Sequence, residues 1–319
     1  MHLVVRVILL IAMLMPLAAG CSTRQMAVRE MAGILDTGMT AFENDDDLEM
    51  LARAFPANIK LVEALLASDP ANADLNVMLA RLYASYAFAF LEPSLEIDYF
   101  GLDVAAFQIP ADAGQDPERI RARALGCYEK GERYALAVLT GRYPGAPELL
   151  KTQDGQAAFF QKLSRRDVPA LFWWAFNLGA RINLERSSVA LLAKAHLVET
   201  AMITVAALDP GYQNGGAHLF LLAYYGSRPP MMGGDPAVAA GHYTALVGIA
   251  GDDFWLGAVY YARYVLQPKQ DRKGFAAIMD QVTRAPQTDR YRLYNAIAAV
   301  RARIYLRAMD DLFTEEDPS

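Results

Sequence analysis

Histidine and cysteine, the side chains that hold many protein-bound metals, are scarce in this chain. Its 319 residues include four histidines and two cysteines. His196, His218 and His242 stand in separate segments without the spacing of a metal site, so we expect neither a metal ion nor another cofactor. An apolar helical pattern surrounds Cys127, and we therefore predict that this thiol is buried.

Basic residues form no cluster in the sequence, and acidic residues outnumber them. There are 30 Lys and Arg residues against 36 Asp and Glu residues, which gives a formal net charge of −6. Loss of the first twenty residues would remove only Arg6, leaving 29 basic residues against 36 acidic ones, a charge of about −7. This balance argues against binding to nucleic acid.

Valine and isoleucine are sparse compared with alanine and leucine. Because alanine and leucine favour helices while β-branched residues favour strands, the composition predicts an all-α fold. The hydrophobic share of 54% is above the usual value and is typical of closely packed helices.

The motifs of several common enzyme classes are missing as well. The sequence contains no Gly-x-Ser-x-Gly elbow, no His-Glu-x-x-His pair and no glycine-rich phosphate loop. We therefore predict that the protein is not an enzyme. A periplasmic hydrolase with a catalytic glutamate is an alternative, and a buried carboxylate pair linked to solvent would favour it.

An apolar segment opens the chain. The run from Leu3 to Met15 is interrupted only by Arg6. It is too short to span a bilayer as a helix and is typical of a signal-peptide core. Ala18, Ala19 and Gly20 then precede Cys21 in an order that resembles a bacterial lipobox, in which the cysteine becomes the lipidated first residue.

We accordingly predict a lipoprotein signal peptide over residues 1–20, a lipidated tether over 21–32 and a helical domain over 33–319. Acyl chains on Cys21 would hold the protein on a membrane. Ser22 rather than Asp follows Cys21, which by similarity to the sorting rule of enteric bacteria favours the outer membrane, facing the periplasm. An ordinary cleaved signal peptide is the alternative. No second segment is predicted to cross a membrane.

A recurring pattern of small and large residues predicts helical hairpins. In a tetratricopeptide repeat, small residues let helices A and B approach closely, and large residues fill the groove between hairpins. Four degenerate copies of this motif occur in order along the chain. The motif residues of helix A lie within 79–83, 178–182, 221–225 and 261–265. Those of helix B, with the proline that follows it in the second and fourth copies, lie within 124–131, 198–210, 239–246 and 274–286. We predict cryptic tetratricopeptide-like repeats stacked into one compact domain, closed by a helix from about Asp289 to Phe313.

Two insertions and one proline interrupt this pattern. Residues 92–117 and 227–234 are rich in Pro and Gly, and a long insertion in a compact domain is usually functional or mobile. Pro56 predicts a break or a kink near Phe55.

Aromatic residues are crowded on the A helices. Trp173 and Trp174 point about 100° apart on a helix, which allows one to face the core and the other a cavity. Because the A helices of such stacks line the concave face, we predict a groove for an amphipathic organic molecule. The predicted ligand contacts are Trp173, Trp174, Asn177, Arg181, His218, Tyr224, Tyr260 and Tyr261. The alternative is that these aromatics, and His218, belong to the core.

A second predicted surface lies on the Pro-Gly loop. It comprises Met231, Met232, Gly233, Gly234 and Asp235, with Asp235 as the cap of the next helix. The two methionines either offer an adaptable apolar contact to a partner or tuck onto the body of the domain.

Several stretches of the chain resemble the TatT lipoproteins, the TRAP-transporter-associated tetratricopeptide-like component. The matching stretches are 167–173, 208–212, 215–220, 229–235, 259–262 and 270–275. The segment around His218 together with the Gly-Gly-Asp turn is the most specific part, while Tyr243 stands where the family favours Phe. The resemblance implies an all-helical periplasmic lipoprotein that forms a homotrimer with channels through its protomers, and a solute-binding protein of a TRAP transporter as its partner.

The leading hypothesis is therefore a lipid-anchored protein that partners a TRAP-type solute-binding protein and assists uptake of a small organic, possibly hydrophobic, ligand. The alternative hypothesis is a scaffold lipoprotein for envelope assembly without a small-molecule ligand.

Overall fold

The computed structural model describes residues 25–107, 115–286 and 288–314. These ranges contain helices and turns but no strand, and 77% of the structure is helical. The prediction of an all-α fold in one compact domain is confirmed.

The helices follow one another with short connections. Their bounds are α1, 25–43; α2, Leu48–Leu66; α3, Ala73–Tyr86; α4, Glu92–Tyr99; α5, Pro117–Arg142; α6, Ala146–Leu149; α7, Gln153–Phe160; α8, Val168–Leu184; α9, Val189–Leu192; α10, Ala195–Leu208; α11, Gly216–Gly226; α12, Pro236–Ala250; α13, Trp255–Tyr261; α14, Arg272–Arg284; α15, Arg292–Arg307; and α16, Met309–Leu312. Two π-helical segments, Ala87–Leu91 and Ala262–Leu266, extend α3 and α13.

The first helix begins earlier than the sequence predicted. Residues 25–32 were assigned to a tether, but they belong to α1, and their Val28 and Ala32 side chains are buried in the core. Cys21 and the predicted signal peptide lie outside the described residues.

Helix α2 passes through Pro56 without the predicted break near Phe55. One face of the helix is buried through Leu51, Phe55, Ile59 and Val62. This packing outweighs the local cost of an interior proline, which is about 3 kcal/mol.

Neighbouring helices pair in the order that the hairpin interpretation predicted. Helix α3 packs on α5, α8 on α10, α11 on α12, and α13 with its π-helical extension on α14. Close approach between hairpins depends on glycine: a Cβ at Gly179 on α8 would lie 2.4 Å from Phe220 Cζ on α11. The internal repeat behind this pairing stays a prediction.

Two segments depart from their predicted form. Part of the 92–117 insertion is helical, since α4 occupies Glu92–Tyr99, whereas residues 108–114 lie outside the described ranges. The predicted final helix from Asp289 to Phe313 is divided into α15 and α16. Cys127 is half-buried against the core rather than fully buried.

One described stretch has the length and composition of a membrane span, contrary to the sequence prediction. It runs from Val189 to Leu208, with a mean hydropathy of 1.5. Leu197, Val198, Ala201, Met202 and Val205 are buried on its inner face, and α10 packs between α8 and α11. The stretch comprises α9 and α10, and 33% of it is buried inside the protein.

The stack of helices is closed on itself by α15, which packs against α13 and α14 and also reaches α2 and α4. Arg301 lies at the contact between α15 and α4, with a side chain that is 2% exposed. Its Nη2 donates to Glu92 Oε2 at 2.9 Å, and its Nη1 lies 2.9 Å from Glu96 Oε1.

The same guanidinium is also held by the π-helical segment. Its Nη2 donates to the carbonyl oxygen of Phe88 at 3.2 Å, and its Cζ lies 4.5 Å from the centroid of the Phe88 ring. A π-helical turn interrupts the regular α-helical hydrogen-bond ladder, and such turns are frequent at functional sites. Arg301 thus joins the end of the chain to residues that precede it by more than two hundred positions.

Replacing Arg301 with methionine should lower the free energy of unfolding by about 3–5 kcal/mol, because Glu92 and Glu96 would be left beside the core without their cation. Urea denaturation followed by circular dichroism measures this loss. The control is Arg303→Met, an exposed site on the same helix, which should cost less than about 0.5 kcal/mol. If the two variants lost equal free energy of unfolding, Arg301 would not be the residue that joins α15 to α4.

Candidate ligand-binding cavity

A cavity of about 460 Å³ lies inside the closed stack of helices. Its walls are formed by one face each of α3 with α4, α8, α11, α13 and α15. The lining side chains are mainly apolar and include Phe88, Phe172, Trp173, Phe176, Leu219, Phe220, Tyr224, Phe254, Leu256, Tyr260, Tyr264 and Tyr294. This size and lining are typical of sites for small organic molecules.

Helices α8 and α11 supply the largest numbers of lining residues and run in the same direction. Phe172 lies near Gly216 at their amino ends, and Gly179 lies against Phe220 further along. The lining residues of α8 extend from Phe172 to Asn183, a rise of roughly 17 Å at 1.5 Å per residue. The cavity is therefore a long slot rather than a sphere.

The aromatic walls are held in place by contacts with one another. The Phe176 ring centroid lies 6.0 Å from those of Phe88 and Phe172 and 6.2 Å from that of Phe220. The Phe172 and Trp173 rings meet edge to face at 4.9 Å. Because each ring packs on others, the slot exists without a ligand.

Three of the predicted ligand contacts, Trp173, Tyr224 and Tyr260, line this cavity. Trp173 Nε1 donates to the Tyr212 hydroxyl at 3.1 Å, and burial raises the pKa of Tyr212 to about 12, so this hydroxyl stays protonated. The Tyr224 hydroxyl donates to Glu199 at 3.1 Å on the outer side of the wall. Both side chains are thus fixed by polar partners and present their rings to the slot.

Five other predicted contacts are not on the cavity wall. Trp174 is 3% exposed in the core, so the two tryptophans divide between core and cavity as their 100° separation allows. Asn177 is fully buried and donates to the carbonyl oxygens of Trp173 and Ala80. Arg181 is paired with Glu132.

The remaining two are engaged by neighbouring aromatic rings. His218 bonds His242, and the Tyr261 ring stacks on Tyr243 with centroids 4.3 Å apart.

The carboxyl ends of α8 and α11 carry one group of polar lining residues. Asn183 and Arg186 come from α8 and the turn after it, while Ser227 and Arg228 follow α11. The Arg228 guanidinium lies 3.4 Å from the centroid of the Tyr224 ring. This end therefore offers cationic and amide donors next to an apolar slot.

The Pro-Gly loop borders the cavity at this same end, since its residues Pro229 and Met232 line the cavity. Gly233 has a φ of 83°, and a Cβ at Gly234 would lie 1.8 Å from the Arg228 carbonyl oxygen, so the turn requires both glycines. Asp235 caps α12 as predicted. Met231 is 91% exposed, which rules out the alternative that it tucks onto the domain.

Sequence reasoning missed Glu92 and Glu96, a carboxylate pair on the cavity wall. Such a pair was the feature that would favour a hydrolase. Here Arg301 bonds both carboxylates, and the Tyr128 hydroxyl donates to Glu92 at 2.5 Å. Burial raises the pKa of Glu96, which the charge of Arg301 opposes. These bonds favour a structural role for the pair.

His218 and His242 join α11 to α12 outside the cavity lining. Their Nδ1 atoms lie 3.0 Å apart, so one ring must donate to the other, and the Tyr225 ring stacks on His242 at 5.7 Å. Burial lowers the pKa of both histidines, and the neighbouring His218 charge lowers that of His242 further. The described residues contain no group of three potential ligands that would make this pair a metal site.

A family model described as TRAP transporter T-component matches residues 44–313, from the end of α1 to the end of α16. The chain belongs to this family. An uncharacterized protein of Treponema pallidum (strain Nichols) is similar, with 27% identity over 284 residues that cover 83% of this chain and 84% of that protein. The resemblance found in the sequence is thereby confirmed, and it associates the T-component with TRAP transport and with the bacterial envelope.

The histidine pair should make the T-component less stable in mild acid. Since the folded state lowers both pKa values, the unfolded chain binds more protons below pH ~6.5, and stability falls as the pH drops through that value. Urea denaturation at several pH values should show a shallower slope for His218→Gln than for the wild type. His196→Gln, at an exposed site, should keep the wild-type slope, and a similar slope in all three proteins would contradict the assignment.

Proposed function

We propose that this T-component is a lipid-anchored protein of the bacterial envelope that binds a small amphipathic organic molecule and exchanges it with the solute-binding protein of a TRAP transporter. The observation that carries the proposal is the preformed aromatic slot with a polar end. Lining of this kind suits a molecule with an apolar body and one polar group.

The position of the predicted partner surface supports an exchange between two proteins. Met232 lines the cavity while the adjacent Met231 is almost fully exposed. A partner that binds Met231 would therefore lie beside the polar end of the slot. Methionine side chains adapt to apolar surfaces of varied shape, as a transient contact requires.

The proposed location follows from the amino-terminal segment. Lipidation of Cys21 would hold the domain at the periplasmic face of the outer membrane, where a soluble solute-binding protein can reach it. Assembly as a homotrimer is part of the same proposal and rests on the family resemblance.

Filling the slot should abolish ligand binding without unfolding the protein. Ala180 on α8 and Ala223 on α11 both line the cavity, so a phenylalanine at either site would occupy space that a ligand needs. Fluorescence titration with the amphipathic probe anilinonaphthalene sulfonate should show at least about tenfold weaker binding in either variant, a loss of about 1.4 kcal/mol.

The matched control for this titration is Ala207→Phe, at an exposed position on α10, which should leave the affinity unchanged. If the wild type, both cavity variants and the control bound the probe with equal affinity, the cavity would not be the binding site. This outcome would favour a scaffold without a small-molecule ligand.

Charged residues on the loop should weaken capture of the partner. Met231→Asp with Met232→Asp should lower the affinity for a TRAP-type solute-binding protein of the same organism at least about tenfold, because a carboxylate in an apolar contact must lose its water. Surface plasmon resonance with the purified pair measures this change. Val189→Asp, at a site that is 79% exposed, is the control, and an equal effect at both sites would contradict the assigned surface.

A further inference from the structure

The outward face of α1 is largely apolar although it is exposed. Met26, Met31 and Ile34 are 62%, 45% and 71% exposed. On a helical wheel these three side chains fall within an arc of about 140°, opposite the buried side chains of Val28 and Ala32. The helix thus has two apolar faces, of which the domain covers one.

Within the same arc, the other exposed residues are small or uncharged with a single exception. They are Ala27, Glu30, Thr37, Gly38 and Ala41. A helix face with three large apolar side chains and one carboxylate differs from the outer face of an ordinary solvated helix, which is polar and charged. A face of this kind indicates that another apolar medium covers it.

Helix α1 is fixed on the domain and cannot turn this face inward. The Phe42 and Phe55 rings meet edge to face at 5.2 Å, and Glu43 is paired with Arg81. At the other end, Arg29 lies 3.9 Å from the carboxylate of the buried Asp69. Whatever covers the outward face must therefore come from outside the domain.

The sequence places the predicted lipid anchor directly beside this face. Cys21 precedes residue 25, where α1 begins, by four positions. Four residues span at most about 14 Å even when fully extended. A lipidated Cys21 would consequently hold the amino end of α1 within that distance of the bilayer surface.

We propose that α1 lies flat on the membrane, with Met26, Met31 and Ile34 inserted between lipid headgroups. The inference rests on the proposed lipid anchor, and it adds a second attachment that fixes the orientation of the domain. The acyl chains on Cys21 would already hold the protein on the membrane, so the contact of α1 would set the orientation of the domain rather than supply the attachment. Because the arc carries no basic residue and the chain is acidic overall, its attraction to lipid is apolar rather than electrostatic.

The test uses the mature chain from Ser22, which lacks the lipidated cysteine but retains every residue described in the fold. Flotation with vesicles of phosphatidylethanolamine and phosphatidylglycerol measures its partition onto lipid. We expect binding that is unchanged by added salt, and a loss of at least about tenfold in the triple variant Met26→Gln, Met31→Gln and Ile34→Gln.

The matched control replaces three exposed apolar residues elsewhere, Val189→Gln, Ile203→Gln and Ile249→Gln, which are 79%, 48% and 37% exposed. It should bind vesicles like the parent chain. Absence of vesicle binding by the parent, or equal losses in both triple variants, would overturn the proposal. Light scattering that shows the α1 variant disrupting self-association, with vesicle binding unchanged, would also overturn it and assign the face to a second copy of the chain.

The anchor itself is tested separately, by incorporation of labelled palmitate into the full chain with and without Cys21→Ala. Labelling that depends on Cys21 while α1 fails to bind vesicles would refute only the second attachment. Failure of the unaltered chain to take up the label, together with vesicle binding by α1, would refute the lipid anchor and leave α1 as the membrane contact.

Discussion

The bond of Arg301 to Glu92 and Glu96 determines the form of the rest of the molecule. A stack of helical hairpins has two free ends and by itself forms an open groove. Here the guanidinium of α15 reaches α4, and the groove becomes a closed slot. A buried ion pair contributes little net stability compared with apolar packing. Its effect is therefore positional, since it selects the arrangement in which the last long helix meets the first hairpin.

Because the stack of helices is closed, it encloses a slot, and several aromatic side chains face this slot instead of the core. Phe176 and Phe220 are partly buried and project into the slot, where neighbouring rings hold them. Polar residues line the slot beside the Pro-Gly loop and also along α4 and α15, where Arg301 is bonded to Glu92 and Glu96. An amphipathic molecule whose polar group lay near Arg228 would have that group close to any partner bound at Met231.

The helical hairpins and the division between Trp173 and Trp174 could be predicted because both follow from the local period of a helix. The closure could not, since Arg301 and Glu92 are 209 positions apart and nothing local relates them. Asn177 and Arg181 were expected to contact a ligand because polar residues on an apolar helix need partners. Their partners are a buried carbonyl and Glu132. Pro93 in the first turn of α4 was the available signal that the insertion begins as a helix.

Occupancy of the slot by an organic molecule in the living cell can be examined by native mass spectrometry of the protein, extracted gently from the membranes of its own source. We expect one bound small molecule per protomer, released on unfolding and absent when phenylalanine replaces Ala223. A protein that is consistently empty, while it still copurifies with envelope proteins, would exclude a ligand-binding role for the slot and support a scaffold.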